Sequence, residues 1–166
     1  MTTKETFLSL GISDPYHEEA EKIDFTALDS FVSILLSAYA NRRGREIVKQ
    51  ELLSDSLSDT TVFLTRMIEV GTVQFLSQNS LISEDEDQTN NLAFVVAAGI
   101  NISMASELQL AGLDQLGGNI FFDIMALFSL IERVQNHLSN SRREPDYIFS
   151  LVNFNLLALV NGSEVQ

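Results

Sequence analysis

Residues 92–104 form the segment that most restricts the possible folds of this chain. They read Leu-Ala-Phe-Val-Val-Ala-Ala-Gly-Ile-Asn-Ile-Ser-Met, with only Asn101 and Ser103 interrupting an otherwise apolar run. A helix that is hydrophobic all round must be buried on most of its faces. We therefore predict a buried, apolar central helix over residues 90–110. A strand over residues 93–97 is the alternative, because Phe-Val-Val is rich in strand-forming residue types.

The same segment is too short to cross a membrane. A spanning helix needs about 18 or more consecutive apolar residues, and no window of this chain reaches that length. Residues 1–11 also hold too few apolar residues for the hydrophobic region of a signal peptide. The chain has no cysteine, which excludes disulfides, thiolate metal sites and a cysteine nucleophile. We expect a cytoplasmic protein that does not bind a membrane.

Apolar residues at helical spacing recur through the rest of the 166-residue chain. They predict further helices, and residues 1–23 are expected to be partly irregular with a short helix over 3–10. A chain of this length fits one domain. We therefore predict an all-α fold, a single globular helical bundle of six or seven helices over 1–166, with a tail at 162–166. The other predicted helices are 25–43, 45–53, 60–78, 119–139 and 146–160.

Small residues inside two predicted helices indicate places where helices cross closely. Gly71 lies within helix 60–78, where a glycine costs about 1 kcal/mol relative to alanine. Its presence there favours a close contact with a neighbouring helix. In the central helix, the small residues Ala97, Ala98 and Gly99 predict a second such approach.

The charge of the chain is acidic and unevenly distributed. It holds 23 acidic and 10 basic residues, a net charge of −13, and no Lys or Arg occurs between Arg66 and Arg133. Binding of nucleic acid or of an anionic membrane needs clustered basic residues, so neither is expected. The run Glu84–Asp87 predicts the centre of a solvated acidic loop over residues 80–91.

The residues that could form catalytic or metal-binding motifs do not have the pattern that such motifs require. His17 and Glu21 could share a helix face, but the His-Glu-x-x-His pattern of a zinc site is missing. His137 lies near the predicted end of helix 119–139, where a histidine interacts favourably with the helix dipole. The run Glu84–Asp87 lacks the glycine and the final glutamate of a calcium-binding loop. We therefore predict no enzyme activity, no cofactor and no metal site.

Candidate partner-binding residues come from three regions. The predicted helix 146–160 is too apolar for a small isolated bundle, which indicates contact with a partner or with another copy. Arginines at the ends of two predicted helices either interact with the helix C-terminus or contact an acidic surface, including the acidic loop of another copy. The candidates are Phe149, Phe154, Leu156, Arg42, Arg43, Arg45, Glu84, Asp85, Glu86 and Asp87.

Three functions remain open. The first is a non-catalytic α-helical interaction or assembly protein, including self-association as a homo-oligomer. The second is an acidic inhibitor or decoy that occupies a basic nucleic-acid-binding surface of another protein. The third is an all-α enzyme or small-ligand-binding domain in which Asn101, Asn153 and Asn155 line a polar pocket. We favour the first, because catalytic motifs are missing and apolar helix surface is in excess.

Overall fold

A computed structural model gives the fold of this chain and describes residues 2–43, 57–110, 124–144, 146–147 and 151. These residues form helices and connecting turns, and none of them lies in a β-strand. The predicted all-α fold is therefore confirmed. The helices of the described ranges are α1 (Thr3–Leu8), α2 (His17–Ala20), α3 (Phe25–Arg43), α4 (Leu57–Gln78), α5 (Glu86–Leu110) and α6 (Ile124–Arg143), with a 3₁₀ turn at Asp14–Tyr16 before α2.

Most predicted helices are present where the structure describes the chain. The alternative of a strand over 93–97 is wrong, because these residues lie inside α5. In α6 the helix continues four residues beyond the predicted end at 139. The predicted helix 45–53 lies outside the described residues, as does most of the predicted helix 146–160, of which Tyr147 and Leu151 are helical.

Helix α5 is the centre of the fold. It contacts each of the other described helices, and every residue from 92 to 105 is buried. This confirms the prediction of a buried apolar central helix. The pattern has a simple cause, since a helix with apolar residues on all sides removes them from water only when neighbours cover all sides.

The short N-terminal helices cover the first half of α5. A capping box starts α1, in which the Thr2 side chain accepts from the backbone N–H of Glu5 and the Glu5 carboxylate accepts from the backbone N–H of Thr2. Phe7 then places a fully buried ring in the core. The ring of Tyr16, just before α2, stacks on Phe94 of α5 at 4.4 Å between ring centroids. Two aromatic side chains thus attach this segment to the central helix.

Helices α3, α4 and α6 complete the core around α5. Their apolar stripes meet the central helix in one continuous cluster of buried side chains. Outside α5 its largest fully buried members are Phe7, Leu28, Val32, Met67, Phe75, Leu76 and Leu138.

The two small-residue positions lie at the contacts predicted for them. A Cβ atom added to Gly99 would lie 3.1 Å from Leu28 Cδ1 and 3.3 Å from Phe25 Cε1, so α3 packs tightly on α5 there. A Cβ atom added to Gly71 would lie 3.5 Å from Phe31 Cε1, which is ordinary van der Waals contact. A methyl group at Gly99 would therefore force Leu28 or Phe25 to shift by a few tenths of an ångström, whereas one at Gly71 would fit without a shift.

Alanine substitutions at these two glycines should have different effects on the stability of the protein. Gly71→Ala is expected to raise the free energy of unfolding by about 1 kcal/mol, because it gains helix propensity without a clash. Gly99→Ala gains the same propensity but forces Leu28 to move, so its net effect should be smaller or unfavourable. Urea unfolding of both variants measures the difference. Equal stabilisation by the two substitutions would contradict the close packing at Gly99.

Candidate functional site

A buried carboxylate lies where α4 meets α6. The side chain of Glu69 is only 1% exposed, although it sits among apolar neighbours of the α4 stripe. An isolated charge in such a place would be strongly unfavourable, so it requires partners. Those partners come from its own helix and from one flank of α6.

Three basic side chains surround this carboxylate. Arg66, one turn earlier on α4, reaches it with Nη1 at 3.3 Å from Oε2 and 3.4 Å from Oε1. From α6, Arg133 Nε lies 3.0 Å from Oε2, and His137 Nε2 lies 2.6 Å from Oε1. Both carboxylate oxygens are therefore engaged, and hydrogen bonds to a charged acceptor are stronger than neutral ones.

The network continues from His137 to Tyr147 and Asn140. His137 Nδ1 lies 2.8 Å from Tyr147 Oη, and Asn140 Nδ2 donates to the same oxygen at 3.3 Å. An ionised carboxylate can only accept hydrogen bonds, so Nε2 of His137 carries the hydrogen that faces Glu69. The spacing of Arg133, His137 and Asn140 on α6 is i, i+4, i+7, which places them on one helix face.

The environment of Glu69 favours its charged form. Burial is the largest single influence and would raise the pKa of this carboxyl. The hydrogen bonds from His137 and Arg133, together with the positive charge of Arg66, outweigh burial and lower the pKa of Glu69 below its ordinary value of 4.5. The carboxylate is therefore ionised at neutral pH and acts as the common acceptor of the network.

Sequence reasoning missed this network. His137 was expected to interact with the C-terminus of its helix, and this is wrong because α6 continues six residues beyond it, to Arg143. Its ring contacts Glu69 instead. One signal was present in the sequence, since Glu69 is the single acidic residue in the otherwise apolar run Met67–Val70. Such a residue on a buried stripe needs a basic partner on another helix.

The acidic run Glu84–Asp87 is exposed, as predicted, but the loop around it is shorter than the predicted 80–91. Helix α5 begins at Glu86, because Asp85 caps it by accepting from the backbone N–H of Gln88 at 3.1 Å. Glu86 and Asp87 then occupy the first turn, where acidic side chains interact favourably with the helix dipole. Glu86 also faces Arg142 of α6, with 3.7 Å between Oε1 and Nη1.

The basic candidates are only partly placed by the structure. Arg42 and Arg43 are the last described residues of α3. Arg142 and Arg143 lie in the last turn of α6, which agrees with the preference of basic residues for helix C-termini. The remaining candidates lie outside the described residues: Arg45, Phe149, Phe154 and Leu156.

The pair His17 and Glu21 does not form a site. Glu21 pairs with Lys4 at 3.0 Å between Oε1 and Nζ. His17 Nε2 lies 3.5 Å from Asp14 Oδ1, and both side chains are largely exposed. His17 and Glu21 therefore belong to a largely exposed, charged segment of the surface.

Of the three asparagines considered for a polar pocket, Asn101 is the one that lies in the described residues. It is 9% exposed in α5 and has an interaction within the protein. Asn153 and Asn155 lie outside the described residues. Asn101 is therefore a polar member of the central helix.

Membrane-spanning helices and metal-ligating clusters are both missing from the ranges given above. None of the described helices is long and apolar enough to cross a membrane. No group of three or more His, Asp or Glu side chains in these ranges is placed to hold a metal ion. Comparisons with protein-family models, with curated protein sequences and with solved structures found no match to this chain.

Proposed function

We propose that this chain is a non-catalytic α-helical protein that binds a protein partner, including another copy of itself. The observation that supports the proposal is that the side chains of the Glu69 network are already occupied by one another. Both ring nitrogens of His137 and both carboxylate oxygens of Glu69 are engaged by other protein groups. A histidine and a carboxylate that could perform acid–base chemistry instead hold α6 against α4.

The surface chemistry supports the same proposal. The acidic run Glu84–Asp87 lies on a capped helix start, so its side chains project from an ordered backbone. The cysteine-free sequence agrees with a cytoplasmic location for this protein. The apolar sequence of residues 146–160 supplies the second candidate surface, through Phe149, Phe154 and Leu156.

Light scattering coupled to size exclusion tests the proposal with Phe154→Asp and Leu156→Asp. If these residues form an interface, each substitution should break an assembly of the native chain, while circular dichroism shows that the smaller species keeps its helices. Ile34→Asp is the matched control, because Ile34 is already 69% exposed on α3. It should change neither the size nor the helix content.

Two outcomes would contradict this use of the apolar segment. Unfolding of both variants would mean that Phe154 and Leu156 belong to the core of the monomer. A native chain that is monomeric at every salt concentration would exclude self-association, and the partner would then be a different protein.

The second candidate function is an acidic inhibitor or decoy that occupies a basic nucleic-acid-binding surface of another protein, and the exposed acidic run favours it. Among its four acids Glu86 forms an ion pair with another described residue, and Asp85 caps α5 by accepting from Gln88. Glu84 and Asp87 have no such partner among the described residues and are available to a basic surface. Association through such charges should weaken steeply as salt rises. A complex whose affinity is unchanged at about 0.5 M salt, where the Debye length falls to about 4 Å, would exclude this function.

A further inference from the structure

The two arginines of the Glu69 network have outer edges that face solvent. The carboxylate they share is 1% exposed, whereas the side chains of Arg66 and Arg133 are 26% and 40% exposed. Their inner edges are therefore fixed in the protein while part of each guanidinium remains accessible. Both contact Glu69 Oε2, which makes the two guanidiniums neighbours.

Neither arginine uses all of its donors on residues that the structure describes. Arg133 reaches Glu69 with Nε, and Arg66 reaches it with Nη1. A guanidinium carries five N–H donors in a rigid fork. Among the described residues, the terminal nitrogens of Arg133 and the remaining nitrogens of Arg66 have no acceptor, so they can bind one from outside.

The local charge selects the kind of acceptor. Two guanidiniums and one carboxylate leave one excess positive charge at this position of a chain whose net charge is −13. An excess positive charge attracts an anionic acceptor. The guanidinium fork also matches a carboxylate in shape.

We propose that the outer edges of Arg66 and Arg133 form a docking point for an acidic side chain of a protein partner. This rests on the proposed function and adds the chemistry of the partner. Glu69 holds both guanidiniums in place before the partner arrives, which lowers the entropy lost on binding. Arginine is also one of the residue types enriched among those that dominate interface affinity.

An NMR titration of the full chain tests the docking point. The probe is the acetylated and amidated peptide Gly-Glu-Glu-Gly, and the control peptide is Gly-Gln-Gln-Gly, both at about 0.15 M salt to screen the net charge of the chain. The acidic peptide should shift the Nε–H signals of Arg66 and Arg133 with a dissociation constant in about the millimolar range, which suits a contact of this size. Arg142 supplies the internal control, since it lies in the last turn of α6, away from Arg133, and pairs with Glu86 of α5.

Substitutions make the test specific. Arg133→Gln should weaken peptide binding about fivefold or more, a loss of the order expected for one charged contact, and Arg133→Lys should recover part of it. Arg142→Gln removes the same charge from the same helix and should leave binding within about twofold of the native value. Thermal unfolding shows whether each variant remains folded, and Arg66→Gln provides a second variant if Arg133→Gln does not.

Several results would overturn the proposal. Equal binding of the glutamate and glutamine peptides would exclude charge recognition, and equal weakening by Arg133→Gln and Arg142→Gln would indicate a nonspecific charge effect. Displacement of the peptide by inorganic phosphate at lower concentration would assign the site to a small anion. The proposed function fails separately, through Phe154→Asp and Leu156→Asp, so either hypothesis can fail while the other stands.

Discussion

Replacing Glu69 by glutamine is expected to lower the free energy of unfolding by about 3 kcal/mol. The substitution keeps the shape of the side chain but removes the charge that Arg66, Arg133 and His137 share. Breaking a buried ion pair by removing one partner commonly costs about 3–5 kcal/mol. The partial exposure of both arginines allows them to regain some hydration, so we expect the lower end of that range.

Urea unfolding followed by circular dichroism measures this loss. Glu132→Gln is the matched control, because it removes the same charge from an exposed position of α6 and should change stability by less than about 0.5 kcal/mol. A loss below about 1 kcal/mol for Glu69→Gln would show that water replaces the carboxylate at little cost. The network would then contribute little to the attachment of α6.

Acidification is expected to remove most of the difference in stability between the native chain and the Glu69→Gln variant. The pKa of Glu69 is lowered in the folded protein from its ordinary value of 4.5. A group with a lowered pKa stabilises the fold fully above its unfolded-state pKa and loses that contribution as pH falls through the folded-state value. The difference in free energy of unfolding between the two proteins should therefore be constant near neutral pH and become smaller once pH falls below about 4.5.

The comparison cancels the other acidic residues, because both proteins carry them. Urea unfolding curves of the two proteins, measured between neutral pH and about pH 3, give both the midpoint and the slope, and from these the difference in free energy of unfolding. A difference that stays constant across this range would mean that the charge of Glu69 does not stabilise the fold. A difference that grows on acidification would contradict the lowered pKa itself.

Local patterns in the sequence were sufficient to predict the centre of the fold. The all-round apolar character of residues 92–104 predicted a helix covered on every side, and residues 92–105 are buried in that way. Gly99 marked a tight helix contact because a residue without a side chain within a helix points to close packing. These features depend on residues close together in the chain, and periodicity records them directly.

The Glu69 network depends on residues far apart in the chain. Glu69 and His137 are separated by 68 positions, and no periodic pattern encodes which face of α6 meets which face of α4. The start of α5 also differs from the prediction, because two local signals compete there. The charge of the run 84–87 indicates a loop, whereas Asp85 is a residue type that favours the N-cap of a helix. The cap and the helix dipole together start α5 at Glu86.

The central position of α5 also affects how the molecule opens. An outer helix can leave the bundle only by exposing the part of α5 that it covers, so local opening is easiest where the covering element buries least. The segment formed by α1 and α2 contributes two buried apolar side chains to the core, those of Phe7 and Ala20, and four partly buried ones, those of Leu8, Leu10, Ile12 and Tyr16. Helix α4 contributes a longer buried stripe. Amide hydrogens in the middle of α5 should therefore exchange with solvent only when the whole described core unfolds, and those in α1 and α2 should exchange well before it does.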